Sequence, residues 1–270
     1  MNAGLSIAEK IIDKKKQVLF SPLSSAYTLA SGNESFVLAN PGLRTHCTQL
    51  ASYINTKYAG ARKVILIYRR HSADSINASY FKSQLKLRGI ELTEKSDSSY
   101  WNAEDFLSVL DPNLIIIPSF DEEFVNTMTK KFFELTANFK ITLFGMPTWT
   151  EMETVRLDYL QALNTHITSS FFVDDSLKNF MQFREDYKMK FSSRPDEYSY
   201  KSYSLVLFIG NLWKEHGDKW MDYIHFPQKE LGVDFNFAPV ILNENTSPDF
   251  IENKSVYVLT YRKNKLIRVK

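Results

Sequence analysis

Cysteine is almost absent from this 270-residue chain, and the single thiol, Cys47, excludes an internal disulfide and any site built from several thiolates. It falls in the first turn of an expected helix, where packing is its ordinary role. Long apolar runs are missing as well. The longest, Leu114–Ile117 and Val64–Tyr68, have the length of strands and fall far short of the roughly 18–20 residues that cross a bilayer, so membrane insertion is not expected. The opening segment MNAGLSIAEKIIDKKK is too charged for the apolar core of a secretory signal. Charge of one sign is lacking too: Lys plus Arg number 33 against 31 Asp plus Glu, a net charge of +2. Lys14-Lys15-Lys16 suits a solvated helix end, and nucleic acid is not an expected partner.

Signatures of catalysis are absent. There is no G-x-S-x-G elbow, P-loop, G-x-G-x-x-G turn or H-E-x-x-H helix. The five histidines, His46, His71, His166, His216 and His225, form no i, i+4 pair and have no carboxylate at metal-ligand spacing. No catalytic residue, metal or cofactor is therefore expected. Asp121-Glu122-Glu123 opens a helix, where negative charge suits the helix dipole.

What remains is a strand and helix alternation in a chain of 44% hydrophobic residues, enough for one large core or two medium ones. Strands are expected at residues 18–20, Phe36–Ala39, Lys63–Arg69, Ile90–Thr93, Leu114–Pro118 and Ile141–Gly145. Between them lie a helix capped by Thr45 with Leu50, Tyr53 and Ile54 inward, and one over Ser72–Arg88 with Ile76, Tyr80, Phe81 and Leu85 inward. A short helix begins near Asn102, and a longer one over Asp121–Asn138 turns Phe124, Met128, Phe132 and Leu135 inward. Such alternation without period-two patterning predicts an α/β protein with parallel sheets covered on both faces. The carboxyl terminus reads as a β-hairpin, Ser255–Tyr261 and Lys265–Val269, turning at Lys263-Asn264.

The order of Gln17–Arg70, a strand into Ser21-Pro22-Leu23-Ser24-Ser25, an extended piece ending at Asn40-Pro41-Gly42, a helix, and a buried strand, resembles the first lobe of type I periplasmic binding proteins, the branched-chain amino-acid-binding family. Phe180, Phe183, Tyr187, Phe191, Pro195, Tyr200 and Tyr203 follow the order of that family's returning helix-turn-helix. The resemblance implies a two-lobed fold with parallel-sheet lobes. Lobe one would comprise residues 1–59 and 173–232, and lobe two residues 60–172 and 233–270. The family begins with two βα units and a third strand ahead of the Ser-Pro loop, so the first lobe is expected to be incomplete here, its missing strands upstream of Met1.

In open α/β sheets, ligands sit at the carboxyl ends of strands. That rule selects Ser21, Ser24 and Ser25; Arg69, Arg70 and His71; Ser119 and Phe120; and Met146, Thr148 and Trp149. The resemblance adds Tyr203 as an aromatic facing the cleft, and places a backbone and a hydroxyl contact at Leu23 and Ser25. The serines serve equally well as helix or turn caps, the arginines as partners of surface acids, and Phe120 and Trp149 as core. The resemblance implies a non-catalytic protein of the periplasm or cell envelope that closes on a small solute and serves a membrane transporter. Amino-acid binders of the family usually carry acids where this chain has Arg69-Arg70-His71 and Pro147-Thr148-Trp149, so an anionic solute is expected. The rival expectation is a binding-protein-like module that has lost its ligand and mediates protein interaction or regulation in the cell envelope. An α/β enzyme such as a nucleotide-sugar transferase lacks its motifs.

Overall fold

A computed structural model describes residues 17–60, 63–70, 73–96, 101–174, 177–242 and 247–269. The expected amino-terminal helix lies outside these residues, as does His71. The chain starts with β1 (Leu19–Ser21), a single helical turn α1 (Tyr27–Ala30) and β2 (Phe36–Leu38). It continues through α2 (Leu43–Lys57), β3 (Lys63–Tyr68), α3 (Ala73–Leu87), β4 (Glu91–Ser96), β5 (Asn113–Ile116), α4 (Glu122–Glu134), β6 (Ile141–Phe144), α5 (Leu157–Ala162) and β7 (His166–Ser169). Two long helices follow, α6 (Lys178–Phe191) and α7 (Glu197–His216), then β8 (Gln228–Glu230), β9 (Val233–Phe235), β10 (Phe237–Val240), β11 (Phe250–Asn253), β12 (Tyr257–Arg262) and β13 (Lys265–Arg268).

These elements form two units, the first ending at Gly42 and resuming over Ser170–Val256, the second holding Leu43–Ser169 and the terminal residues from Tyr257. Unit one has a four-stranded sheet of order β1-β2-β11-β10, parallel except for β10, and a separate β8-β9 hairpin. Its strand β2 shows how the sheet is covered. Val37 points into a core with Phe180, Tyr200, Phe208 and Phe237, while Phe36 and Leu38 alternate into a second core with Ala30, Val240 and Phe250. Each such side chain, removed wholly from water, contributes roughly 1.5–3 kcal/mol.

Unit two has a seven-stranded sheet of order β13-β12-β7-β6-β5-β3-β4. The five strands from β3 to β7 are parallel, and the terminal hairpin adds antiparallel strands at one edge. Val64–Tyr68 of β3 are all buried, the run expected of a strand covered on both faces. At the other edge β4, Glu-Leu-Thr-Glu-Lys-Ser, is polar, as an edge facing water requires. The hairpin turns through Lys263 and Asn264, both at positive φ (48° and 60°), the geometry a two-residue turn demands. Among the described residues no helix is long and apolar enough to cross a membrane.

Several expectations shift. Helix α2 starts at Leu43 and takes Thr45 into its buried first turn, so Thr45 is not its cap. The chain passes between the units at 42/43, 169/170 and 256/257, whereas crossings at 59/60, 172/173 and 232/233 were expected. The reason is packing: α2 lies against α3, β7 and β12, and β10 and β11 complete the sheet begun by β1 and β2. Ile76 is 59% exposed, and α3 instead buries Asp74 and Asn77. That polar face belongs to the site described next.

Candidate functional site

The carboxyl ends of β3, β5 and β6 bring several side chains of unit two into one network. Arg69, just beyond β3, donates from Nε to Asp74 Oδ2 at 2.8 Å, and its NH1 lies 2.9 Å from Asp121 Oδ2. Asp74 is buried, and its other oxygen accepts from the buried Ser119 hydroxyl at 3.0 Å. Asp121 caps α4 by accepting from the Phe124 backbone N–H at 2.8 Å, and the Arg69 guanidinium lies 5.2 Å from the Phe124 ring centre. The Asn77 carboxamide donates to the Pro118 carbonyl at 2.9 Å. Hydrogen bonding to Asp74, then to Asp121, pushes the Arg69 pKa up against the effect of burial. The Phe124 N–H, with Arg69, holds the Asp121 carboxyl below the usual carboxylate range.

This arrangement bears on the electrostatic expectation. Arg69 is committed to two carboxylates, and the trio carries one formal positive charge against two negative, so Arg69 is not a free cation at the end of β3. Arg70 is exposed, and its charge bears on Glu94, which it helps hold below the usual carboxylate range after Lys82 and Tyr68. Trp149 is corrected too. It is 1% exposed, its indole N–H donates to the Ser119 carbonyl at 2.9 Å, and its ring lies so close to Gly145 that a Cβ there would sit 2.4 Å from it. Trp149 therefore props the Ser119 turn and offers no free face for stacking. Phe120, 42% exposed, and Thr148 remain accessible at these strand ends.

In unit one Ser21 ends β1 and is buried. The Ser24 hydroxyl accepts from the Ala26 N–H at 3.2 Å, the turn-capping role, while Ser25 is half-buried. Leu23 exposes half its surface, and its carbonyl accepts from Asn40 Nδ2 at 2.9 Å, which ties the Ser-Pro loop to the end of β2. Asn40 leads to a polar cluster that no motif announced. The Lys201 ammonium, on α7, donates to Asn40 Oδ1 (3.3 Å) and Ser170 Oγ (2.8 Å) and pairs with Glu197 (2.6 Å). Asn253, ending β11, donates to the Ala39 carbonyl at 3.3 Å. The cavity among Pro22, Asn40, Lys201 and Asn253 is only about 10 Å³, room for a water and not for a solute. Tyr203 lies elsewhere, in an open groove between α6 and α7, its ring 4.6 Å from Phe183 and in company with Tyr187 and Phe191. Ser21 and Ser25 do not line that groove.

Two sheets of mainly parallel strands, interleaved in sequence and joined by three chain passages, with polar groups gathered at the strands' carboxyl ends, form a distinctive order. Solved structures share the fold. The fold is that of the type I periplasmic binding proteins. A branched-chain amino-acid ABC transporter periplasmic ligand-binding protein from Burkholderia xenovorans superposes with a TM-score of 0.66 at 12% identity, covering 98% of this chain and 73% of its own. An ABC transporter substrate-binding protein from Desulfitobacterium hafniense, in complex with Leu, gives 0.62 at 15% identity over 98% and 77%. A solute-binding protein from R. palustris, in complex with benzoate, gives 0.54 at 12% identity over 99% and 73%. No family model matches the sequence, and no curated protein matches it.

Proposed function

We propose that the protein is a non-catalytic solute-binding protein of the periplasm or cell envelope, which closes on a small solute and presents it to a membrane transporter. Binding-protein neighbours with this fold, which hold solutes as different as Leu and benzoate, support the class. The observation that carries the choice of solute is the Arg69–Asp74–Asp121 network. Arg69, committed to two carboxylates, leaves no free guanidinium of its own for a simple anion, and Asp121 beside it suits a neutral or ammonium-bearing solute, an amino acid among them. Phe120 and Thr148 are its accessible neighbours in unit two.

The test is a thermal-shift screen of the full chain against neutral, anionic and ammonium-bearing small solutes, followed by Asp121→Asn. Amino acids or amines should raise Tm, and Asp121→Asn should reduce the shift. A shift produced by simple anions alone overturns the charge assignment. One observation favours the rival module of protein interaction: the exposed aromatic groove of Phe183, Tyr187, Phe191 and Tyr203 on unit one. A complete lack of solute response would move the assignment there.

A further inference from the structure

At the opposite, amino ends of β3 and β5, unit two holds a second cavity that the solute site does not use. Its volume is about 610 Å³, within the range of roughly 300–1,000 Å³ of small-molecule sites. The floor is apolar, made by the buried side chains Ile65 and Leu114. Two half-buried rings, Tyr58 and Phe106, line it. The polar groups around it are mostly occupied. Asn113 accepts from the Ser108 N–H at 2.8 Å and donates to the Ser108 carbonyl, while the Ser108 hydroxyl donates to Asp111 at 3.3 Å. Lys63 is exposed at the rim and has no acidic partner among the described residues. An apolar floor, two aromatic walls and Lys63 at the mouth, with Asp111 on the same lining engaged by the Ser108 hydroxyl, describe the complement of a flat, amphiphilic anion.

We propose that this cavity is a binding site for small aromatic carboxylates, with the ring between Tyr58 and Phe106 and the carboxylate on Lys63. Gly60, on the lining, supplies a clean way to close it. A Cβ there meets no atom within 4 Å, so a larger side chain fits at this lining position without disturbing the core.

The experiment is titration calorimetry of the full chain with 2-naphthoate and its neutral counterpart 2-naphthalenemethanol, repeated on Lys63→Met, Gly60→Trp and the smaller Gly60→Leu, each checked for native circular dichroism. The naphthoate should bind, and Lys63→Met should weaken it about tenfold, as expected for loss of one charge-assisted contact, while leaving the neutral compound within about twofold. Whichever Gly60 variant folds should abolish binding of both. Absence of naphthoate binding, naphthoate affinity unchanged in Lys63→Met, or binding retained in a folded Gly60 variant would each overturn the assignment.

Discussion

Arg69 and Asp74 stand 2.8 Å apart, the carboxylate almost wholly buried and the guanidinium a third exposed. The pair is asymmetric. Replacing Arg69 by Met leaves Asp74 buried without its guanidinium partner, and a buried carboxylate stripped of its cation costs more than a surface pair is worth. Arg69→Met should lower unfolding free energy by roughly 2–3 kcal/mol, measured by urea titration. A loss below about 0.5 kcal/mol, the level of an exposed pair, would show that the network does not hold the strand end.

Glu252 is the corresponding buried acid of unit one. It accepts from the Tyr27 hydroxyl at 2.8 Å and the Gly42 N–H at 2.6 Å, and it pairs with Lys254. Since Gly42 is the last residue before the chain leaves unit one, Glu252 fixes the start of the first passage. Glu252→Ala removes the acceptor for all three donors and should cost about 2–4 kcal/mol, with earlier proteolytic cleavage near Gly42. Unchanged cleavage would contradict this.

Gly145→Ala tests the support beneath Ser119. Its Cβ would press on the Trp149 ring, which has no room to withdraw because it is buried and held by its N–H bond. Overpacking of this kind costs about 1–3 kcal/mol. Trp149→Phe, lacking the N–H, should in the Gly145→Ala background recover part of the loss. Additive losses would refute the contact.

His166 gives unit two a pH response. Its ring is buried against Phe144, its Nδ1–H donates to the Asn164 carbonyl at 2.8 Å, and burial pushes its pKa down to about 4. The unfolded imidazole takes up its proton near pH 6.5, the folded one only near 4, so the contribution is complete above about 6.5 and is lost as pH falls toward 4. It amounts to about 3 kcal/mol across that window. Urea titrations at pH 7 and pH 5 should show a clear loss in the wild type and a flatter response in His166→Phe. Equal slopes would remove His166 from the account.

Much of the fold is legible in the sequence because the parallel strands are continuous apolar runs and the helices between them carry inward residues at helical spacing. Val64–Tyr68 and Phe124–Phe132 are plain instances. The chain passages were misplaced because nothing local marks them. Leu50 and Ile54 mark a buried helix face without naming what covers it, and only the tertiary contacts of α2 decide. The site was half legible. Strand ends located Arg69, Ser119 and Trp149, but the acids that neutralise Arg69 lie five and fifty-two residues away, and Asp121 reads locally as a helix cap. The available signal was the pair Asp74 and Asn77, polar residues at i, i+3 on the face opposite the exposed Ile76. Lys201 gave no signal, since a lysine in a helix is ordinary until its neighbours are known.

Central to the account is a solute chosen at a strand end where Arg69 is spent on two carboxylates. Titration calorimetry of the full chain with leucine, 4-methylpentanoate and 3-methylbutylamine, three solutes with one apolar body and different charge, tests this most directly. Leucine or the amine should bind at least about tenfold more tightly than the carboxylate, a preference of about 1.4 kcal/mol that shrinks in Asp121→Asn. Tighter binding of 4-methylpentanoate than of leucine and the amine would contradict it.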